Sequence, residues 1–162
     1  MIRIEPATEA DTPLLLEFIH GLAEYEQAKP GDVQVNEALL RESLFGARPA
    51  AEAIIAYHEG APAGFAVYFQ NFSTWTGRRG IYLEDLFVKP EFRRRGIGRA
   101  LLAEVARIAV ARGCPRYDWN VLDWNTPAIE FYKSLGARPL DEWTGYRLTG
   151  EALARLAGES RD

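Results

Sequence analysis

The chain's 162 residues, 48% hydrophobic and 26% charged, suffice for one domain with its own core and would leave two cramped. A net charge of -4 excludes a general nucleic-acid-coating role, and the single cysteine, Cys114, excludes an internal disulfide or a thiolate-rich metal site. The opening "MIRIEPATEADTP" lacks a signal-peptide pattern and no apolar run reaches the roughly 18 residues that span a bilayer, so a cytoplasmic protein with no membrane partner is expected. In chain order, "IRIEPA" reads as a first strand. "DTPLLLEFIHGLAEY" reads as a helix, with Thr12 as its cap, Pro13 at its first position, and Leu15, Phe18, Ile19 and Leu22 on one face. A shorter helix follows near Asn36 to Phe45. "AEAIIAYHEGAPAGFAVYFQNF" then gives two β-rich runs broken at His58, Glu59 and Gly60, an antiparallel hairpin.

A polar loop, "STWTGRRG", leads into a third long strand, "IYLEDLFV", which Pro90 ends because it cannot donate a ladder hydrogen bond. From Gly98 the positions Leu101, Leu102, Val105, Ile108 and Ala109 keep helical spacing until Gly113. "RYDWNVL" suggests another strand and "NTPAIEFYKSLGA" a helix, capped by Asn125 or Thr126, with Pro127 in its first turn and Gly136 at its end. "EWTGYRL" is expected as a last strand and "TGEALARLAGESRD" as a short helix with a frayed tail. No repeat or Gly/Ser linker interrupts this order, which predicts a single domain over residues 1–162. Its fold class is α/β in the sense of an α+β mixed sheet flanked by helices on both faces.

The segment "EFRRRGIGRALL" joins a strand to a helix through a short glycine-bearing turn. Such a junction gathers unpaired backbone N–H groups and the positive end of a helix dipole at one point, where phosphate binds well. Gly96 and Gly98 let the backbone come close to a ligand, and Arg93, Arg94 and Arg95 can add charge-assisted hydrogen bonds. A Rossmann turn would need Gly or Ala where Leu101 stands, and a P-loop would need Gly-Lys-Ser/Thr. An RNA-binding patch lacks an aromatic platform beside the arginines, so no nucleic-acid partner is expected; a solvated basic turn is the remaining plain reading. His20 and His58 lie far apart without metal-ligand spacing, so no metal is expected.

These residues resemble the Q/R-x-x-G-x-G/A acetyl-CoA loop of GNAT-type N-acetyltransferases, with Arg93, Gly96 and Gly98 at the pattern positions. "YLEDLFV", "WNTPAIEFYKSLGA" and the earlier "LAEYE" extend the likeness to the diamine (spermidine/spermine) and thialysine acetyltransferase branch over almost the whole chain. The resemblance implies the GNAT fold, in which two parallel strands of a mixed central sheet splay apart to admit acetyl-CoA; here these would be "IYLEDLFV" and "RYDWNVL". It implies that Leu86, Phe87 and Val88 pair with the pantetheine arm and that the amides of Arg94, Arg95, Gly96, Ile97, Gly98 and Arg99 cradle the pyrophosphate. Asn125, Thr126, Pro127 and Ala128 would complete the cofactor contacts.

The same resemblance makes Tyr132 the group that donates a proton or hydrogen bond to the departing thiolate, and Glu84 the carboxylate that helps to deprotonate the amine. Tyr132 follows Asn125 by two helical turns, so both share one helix face. Alternation along a strand lets only one of Glu84 and Asp85 face the cleft, and the family match points to Glu84. Tyr25 and Glu26 match positions at the amine end, Trp75 is a third wall, and Asp118, Trp119 and Asn120 lie on the neighbouring strand. Aromatic faces with carboxylates suit an aliphatic cation. Arg78 and Arg79, beside this mouth, would repel a long polycation and make a lysine-like substrate at least as credible as spermidine. The expected activity is direct transfer of acetyl from acetyl-CoA to a primary amine of a small cationic metabolite by a homodimer. A non-catalytic acyl-CoA sensor of the same fold is the alternative.

Overall fold

Continuous apolar runs in the first half of the chain build a sheet whose two faces bury different helices. The structure, a computed structural model, describes residues 1–160. The chain divides into two compact units, Met1–Leu122 and a second beginning at Asp123. The first contains strand β1 (Ile2–Pro6), helices α1 (Thr12–Tyr25) and α2 (Glu37–Phe45), and strands β2 (Glu52–His58), β3 (Ala61–Ser73) and β4 (Arg78–Val88). Helix α3 (Ile97–Ala111) and strand β5 (Tyr117–Asp118) complete it. The strands run in the order β1-β2-β3-β4-β5, antiparallel as far as β4, while β5 joins β4 in parallel. This is the mixed sheet expected from the element order.

One face of the sheet carries α1 and α2. Leu15 and Phe18 of α1, with Leu40 and Leu44 of α2, pack on Ala53, Ile55, Phe65, Val67 and Phe87. The rings of Phe18 and Phe65 stack at 5.2 Å. The other face receives α3, whose Leu101, Leu102, Val105 and Ala109 are buried. Arg112, at the end of α3, reaches Glu52 of β2 with both guanidinium nitrogens, at 2.7 and 2.8 Å.

Several boundaries differ from the sequence expectation. Thr12 is the first residue of α1 and not its cap; Asp11 precedes the helix, and the buried Thr12 hydroxyl donates to the Glu9 carbonyl at 2.6 Å. The polar loop shrinks to a tight connection, because β3 and β4 keep pairing out to Ser73 and Arg78. The expected strand "RYDWNVL" keeps only the two residues of β5, since β4 offers partners to Tyr117 and Asp118 alone.

The second unit holds α4 (Thr126–Ser134) and α5 (Gly150–Ala157). The expected last strand, "EWTGYRL", has no regular secondary structure, and Tyr146 is 96% exposed. A strand needs a neighbour for its N–H and C=O groups, and no described strand pairs with this segment.

Candidate active site

The register of β3 with β4 places the acidic pair. Pairing proceeds from Gly64–Val88 to Val67–Asp85 and resumes at Tyr68–Leu83, which leaves Glu84 without an opposite residue. Glu84 is therefore the extra residue of a β-bulge. Leu83 is buried with Ile81 on the α3 side, whereas Asp85 lies opposite Val67 on the side of α1. Inserting one residue between them turns Glu84 and Asp85 toward the same face. The expectation that only one of them could face the cleft fails at this bulge, which strand alternation alone does not reveal.

The electrostatics agree with that placement. Burial first, and then the charges of Glu84 and Glu26, push the Asp85 carboxyl up to about 7. Glu26 caps the C-terminal end of α1; its carboxyl is raised by partial desolvation and then by Glu84. Tyr82, two residues before the bulge on the same face, has its phenol raised by burial, Glu84 and Asp118. Glu26, Glu84, Asp85 and Asp118 thus form one acidic region around Tyr82 on the α1 face. Asp85 was not among the sequence-predicted site residues, although the paired acids interrupting an apolar strand were the signal for it.

β5 pairs with β4 only at Ile81–Tyr117 and Tyr82–Asp118. Beyond Tyr82, the edge of β4 from Leu83 to Val88 has no described strand beside it, which is where the resemblance expects the gap. Lys89 N–H donates to Ala63 C=O at 2.8 Å, which puts the backbone groups of Phe87 toward β3 and those of Leu86 and Val88 toward the gap. Of the residues expected to pair with a pantetheine arm, Leu86 presents its backbone there and Val88 its N–H, the Val88 carbonyl being held by Arg93; Phe87 instead puts its ring in the core.

The glycine-bearing turn, where the resemblance expects an anion, lies at the end of the same strand. Arg94 (φ 63°) and Gly96 (φ 78°) are left-handed, and Gly96 caps α3 without a side-chain hydrogen bond. This winding, followed by the 15-residue α3, leaves the first amides of the helix from Ile97 onward aimed out of its N-terminus. The loop and the open edge of β4 therefore fit a phosphorylated, amide-bearing arm. Ile97 itself is buried and offers only its N–H.

Arg93 turns back from the loop: its Nε donates to Val88 C=O at 3.1 Å, and its guanidinium lies 5.0 Å from the Tyr25 ring and 5.9 Å from the Phe87 ring. It ties the end of β4 to the end of α1. The loop charge expected to rim a phosphate is thus carried by Arg94, Arg95 and Arg99.

The remaining predicted residues fall in different places. Trp75 sits at the β3–β4 tip, 81% exposed. Trp119 packs edge-on against Tyr117, whose hydroxyl donates to Leu102 of α3, so Trp119 lies on the face opposite Asp118. Asn120 follows β5 and is exposed. In the second unit Asn125 caps α4, its side-chain oxygen accepting from Ala128 N–H at 3.4 Å, with Thr126 and Pro127 opening the helix. Tyr132 lies further along α4, partly buried, its ring 5.9 Å from that of Phe131.

Known proteins resemble this chain in sequence and architecture. The chain matches the acetyltransferase (GNAT) family over residues 19–137. It is 41% identical to thialysine N-epsilon-acetyltransferase of Sus scrofa over 169 aligned positions, covering 98% of each chain. It is 44% identical over 94 positions to L-ornithine N5-acetyltransferase of Arabidopsis thaliana, covering 58% of this chain and 41% of that one. Among solved structures, an integron cassette protein from the mobile metagenome of V. cholerae superposes with a TM-score of 0.79 at 31% identity, covering 98% of both chains. An open β4 edge beyond β5, a glycine-bearing turn into α3 and full-length kinship with acetyltransferases lead to one assignment: the chain belongs to the GNAT acetyltransferase family.

Proposed function

We propose that this acetyltransferase moves the acetyl group of acetyl-CoA directly onto the terminal primary amine of a small cationic metabolite, and that the acceptor is an amino acid of the lysine, thialysine or ornithine type. The observation that carries this reading is the bulge at Glu84, which sets Glu84 and Asp85 together on the face where the β4–β5 gap opens, with Glu26 in electrostatic reach. The names of the relatives support the substrate class. The family match, which runs across the boundary between the two compact units, supports one acetyltransferase domain. A cytoplasmic homodimer belongs to the same reading; sedimentation at micromolar concentration checks the oligomer.

The chemistry follows from proton affinities. An alkylammonium of pKa about 10.4 giving its proton to an ordinary carboxylate of about 3.9 climbs roughly 9 kcal/mol, whereas a carboxylate at about 7 reduces the climb to about 5 kcal/mol. Burial and like charge therefore make Asp85 a better base than an exposed acid, and Glu84 and Glu26 hold the cation beside it. The freed amine attacks the thioester carbonyl, the C–N bond forms, and the C–S bond breaks to release the coenzyme A thiolate. Tyr132 is assigned the hydrogen bond to that thiolate. A tyrosine of pKa about 10 protonating a thiolate of about 8.5 goes uphill by about 2 kcal/mol, so hydrogen bonding is the easier role.

Incubation with acetyl-CoA and thialysine, lysine, ornithine or spermidine, with mass spectrometry of the products, tests the assignment. Acetylation of the side-chain amine of an amino acid is expected; a protein that acetylates spermidine and none of the amino acids contradicts the substrate class.

A further inference from the structure

At the opposite end of β4 from the glycine-bearing turn, a small cavity of about 70 Å³ lies between the β3–β4 tip and the start of β5. Its lining includes Ser73, Thr76, Arg78, Gly80, Arg116 and Asp118. It is far smaller than the roughly 300–1,000 Å³ of pockets that enclose a whole ligand, and suits a single polar group. Gly80 makes room for it: a Cβ there would come within 2.6 Å of Asn71 Oδ1 and 3.2 Å of the Arg116 carbonyl.

The charges in this cavity are mostly unspent. Arg116 Nη1 donates to Ser73 Oγ at 3.0 Å, but among the described residues neither Arg78 nor Arg116 forms an ion pair. Ser73 Oγ also accepts from the N–H groups of Trp75 and Thr76, at 3.2 and 3.3 Å, so its own proton is left for another acceptor. Asp118 is the opposing carboxylate in the lining, set against Arg78 and Arg116. The cavity is therefore net positive in a chain of net charge -4.

Strand geometry connects this cation cluster with the acidic one. Counting back along the pleat from Asp85, the residues Tyr82, Gly80 and Arg78 lie on the face of Glu84, and Arg79 turns to the other face with its partner Phe72. On β5, Asp118 pairs with Tyr82, which puts Arg116 on that face too, in agreement with its bond to Ser73. The face thus runs from Arg78 and Arg116, past Tyr82, to Glu84 and Asp85. Gly80 and Glu84 are roughly 13 Å apart by strand rise, and long side chains reach inward from both ends.

We propose that the Arg78–Arg116 cavity is the oxyanion subsite of the acceptor site, holding the carboxylate of the acceptor amino acid while its terminal amine lies at Glu84 and Asp85. It rests on the acetyl-transfer reading and adds a specificity element to it. The carboxylate accepts from both guanidiniums and the Ser73 hydroxyl, whereas a diamine of the same length presents a second ammonium to two guanidiniums and is repelled.

Steady-state rates with lysine and with cadaverine, its decarboxylated counterpart, test the subsite. The wild-type protein is expected to favour lysine in kcat/KM by at least about tenfold, and Arg78→Gln and Arg116→Gln are each expected to cut that preference about tenfold, through KM. Both variants should also lower KM for cadaverine, since a repelling charge is gone. Inorganic phosphate is expected to compete with lysine and to leave cadaverine turnover nearly unaffected. A lysine-to-cadaverine ratio that is the same in both variants and the wild type overturns the subsite while acetyl transfer stands. With acetyl-CoA saturating, so that phosphate cannot act at the loop before α3, equal inhibition of both acceptors by phosphate overturns it too. Failure of the wild type to acetylate any amine would overturn the acetyl-transfer reading itself, and the subsite with it.

Discussion

Asp85 carries the main pH-dependent consequences. If it accepts the amine's proton, kcat/KM should rise with pH through about 7, where its carboxyl titrates in the folded protein. Glu84→Gln removes a like charge that raises Asp85, so the rising limb should move to lower pH; Asp85→Asn should abolish it. A limb unchanged by either substitution would remove Asp85 as the base. Stability gives an independent reading of the same group. Its folded-state value lies above the usual 3.8, so the unfolded chain ionises first as pH rises, and the native state loses stability progressively between about 4 and 7. At pH 8 that cost is on the order of 4 kcal/mol, and Asp85→Asn should raise the denaturation midpoint at pH 8 relative to pH 4. Equal effects at both pH values would show that the carboxyl is not strained in the fold. Tyr132→Phe should lower turnover about a hundredfold with acetyl-CoA affinity nearly unchanged, and an unchanged rate would take the phenol out of the reaction.

Among the elements, the strand–loop–helix unit from β4 to α3 was the most legible. Pro90 marked the end of β4, Gly96 takes the left-handed conformation of a cap, and the apolar spacing from Leu101 to Ala109 is buried as expected. Gly98 offers a clean test, because a Cβ there would find only Val88 Cγ2 at 3.8 Å and the fold would tolerate it. Gly98→Leu should therefore keep or raise the melting temperature while weakening acetyl-CoA binding at least about tenfold; undiminished affinity would mean that the cradle lies elsewhere. The bulge at Glu84 was not legible, because a bulge is set by the pairing of two strands and leaves the one-strand pattern of "IYLEDLFV" unchanged. The shortness of β5 escaped for a related reason: "RYDWNVL" has strand propensity, but β4 gives it partners for two residues only.

For the molecule as a whole, the element order foretold the mixed sheet and its two helical faces, and the residue pattern placed the glycine-bearing turn into α3. Side-chain assignments carried over less evenly. Glu84, Glu26 and Asp118 share one acidic region with Tyr82, whereas Arg93 serves as a tie between β4 and α1, and Trp119 faces α3. Those differences arise from tertiary partners that spacing along the chain cannot name. In the proposed direct transfer, the amine itself attacks acetyl-CoA beside Asp85. Thiol release from acetyl-CoA, followed continuously with and without lysine-type amines, tests it most directly. The expected result is no burst without amine and saturable release when amine is added. Tight acetyl-CoA binding with no amine-dependent release, or a stoichiometric burst before amine is present, would contradict it.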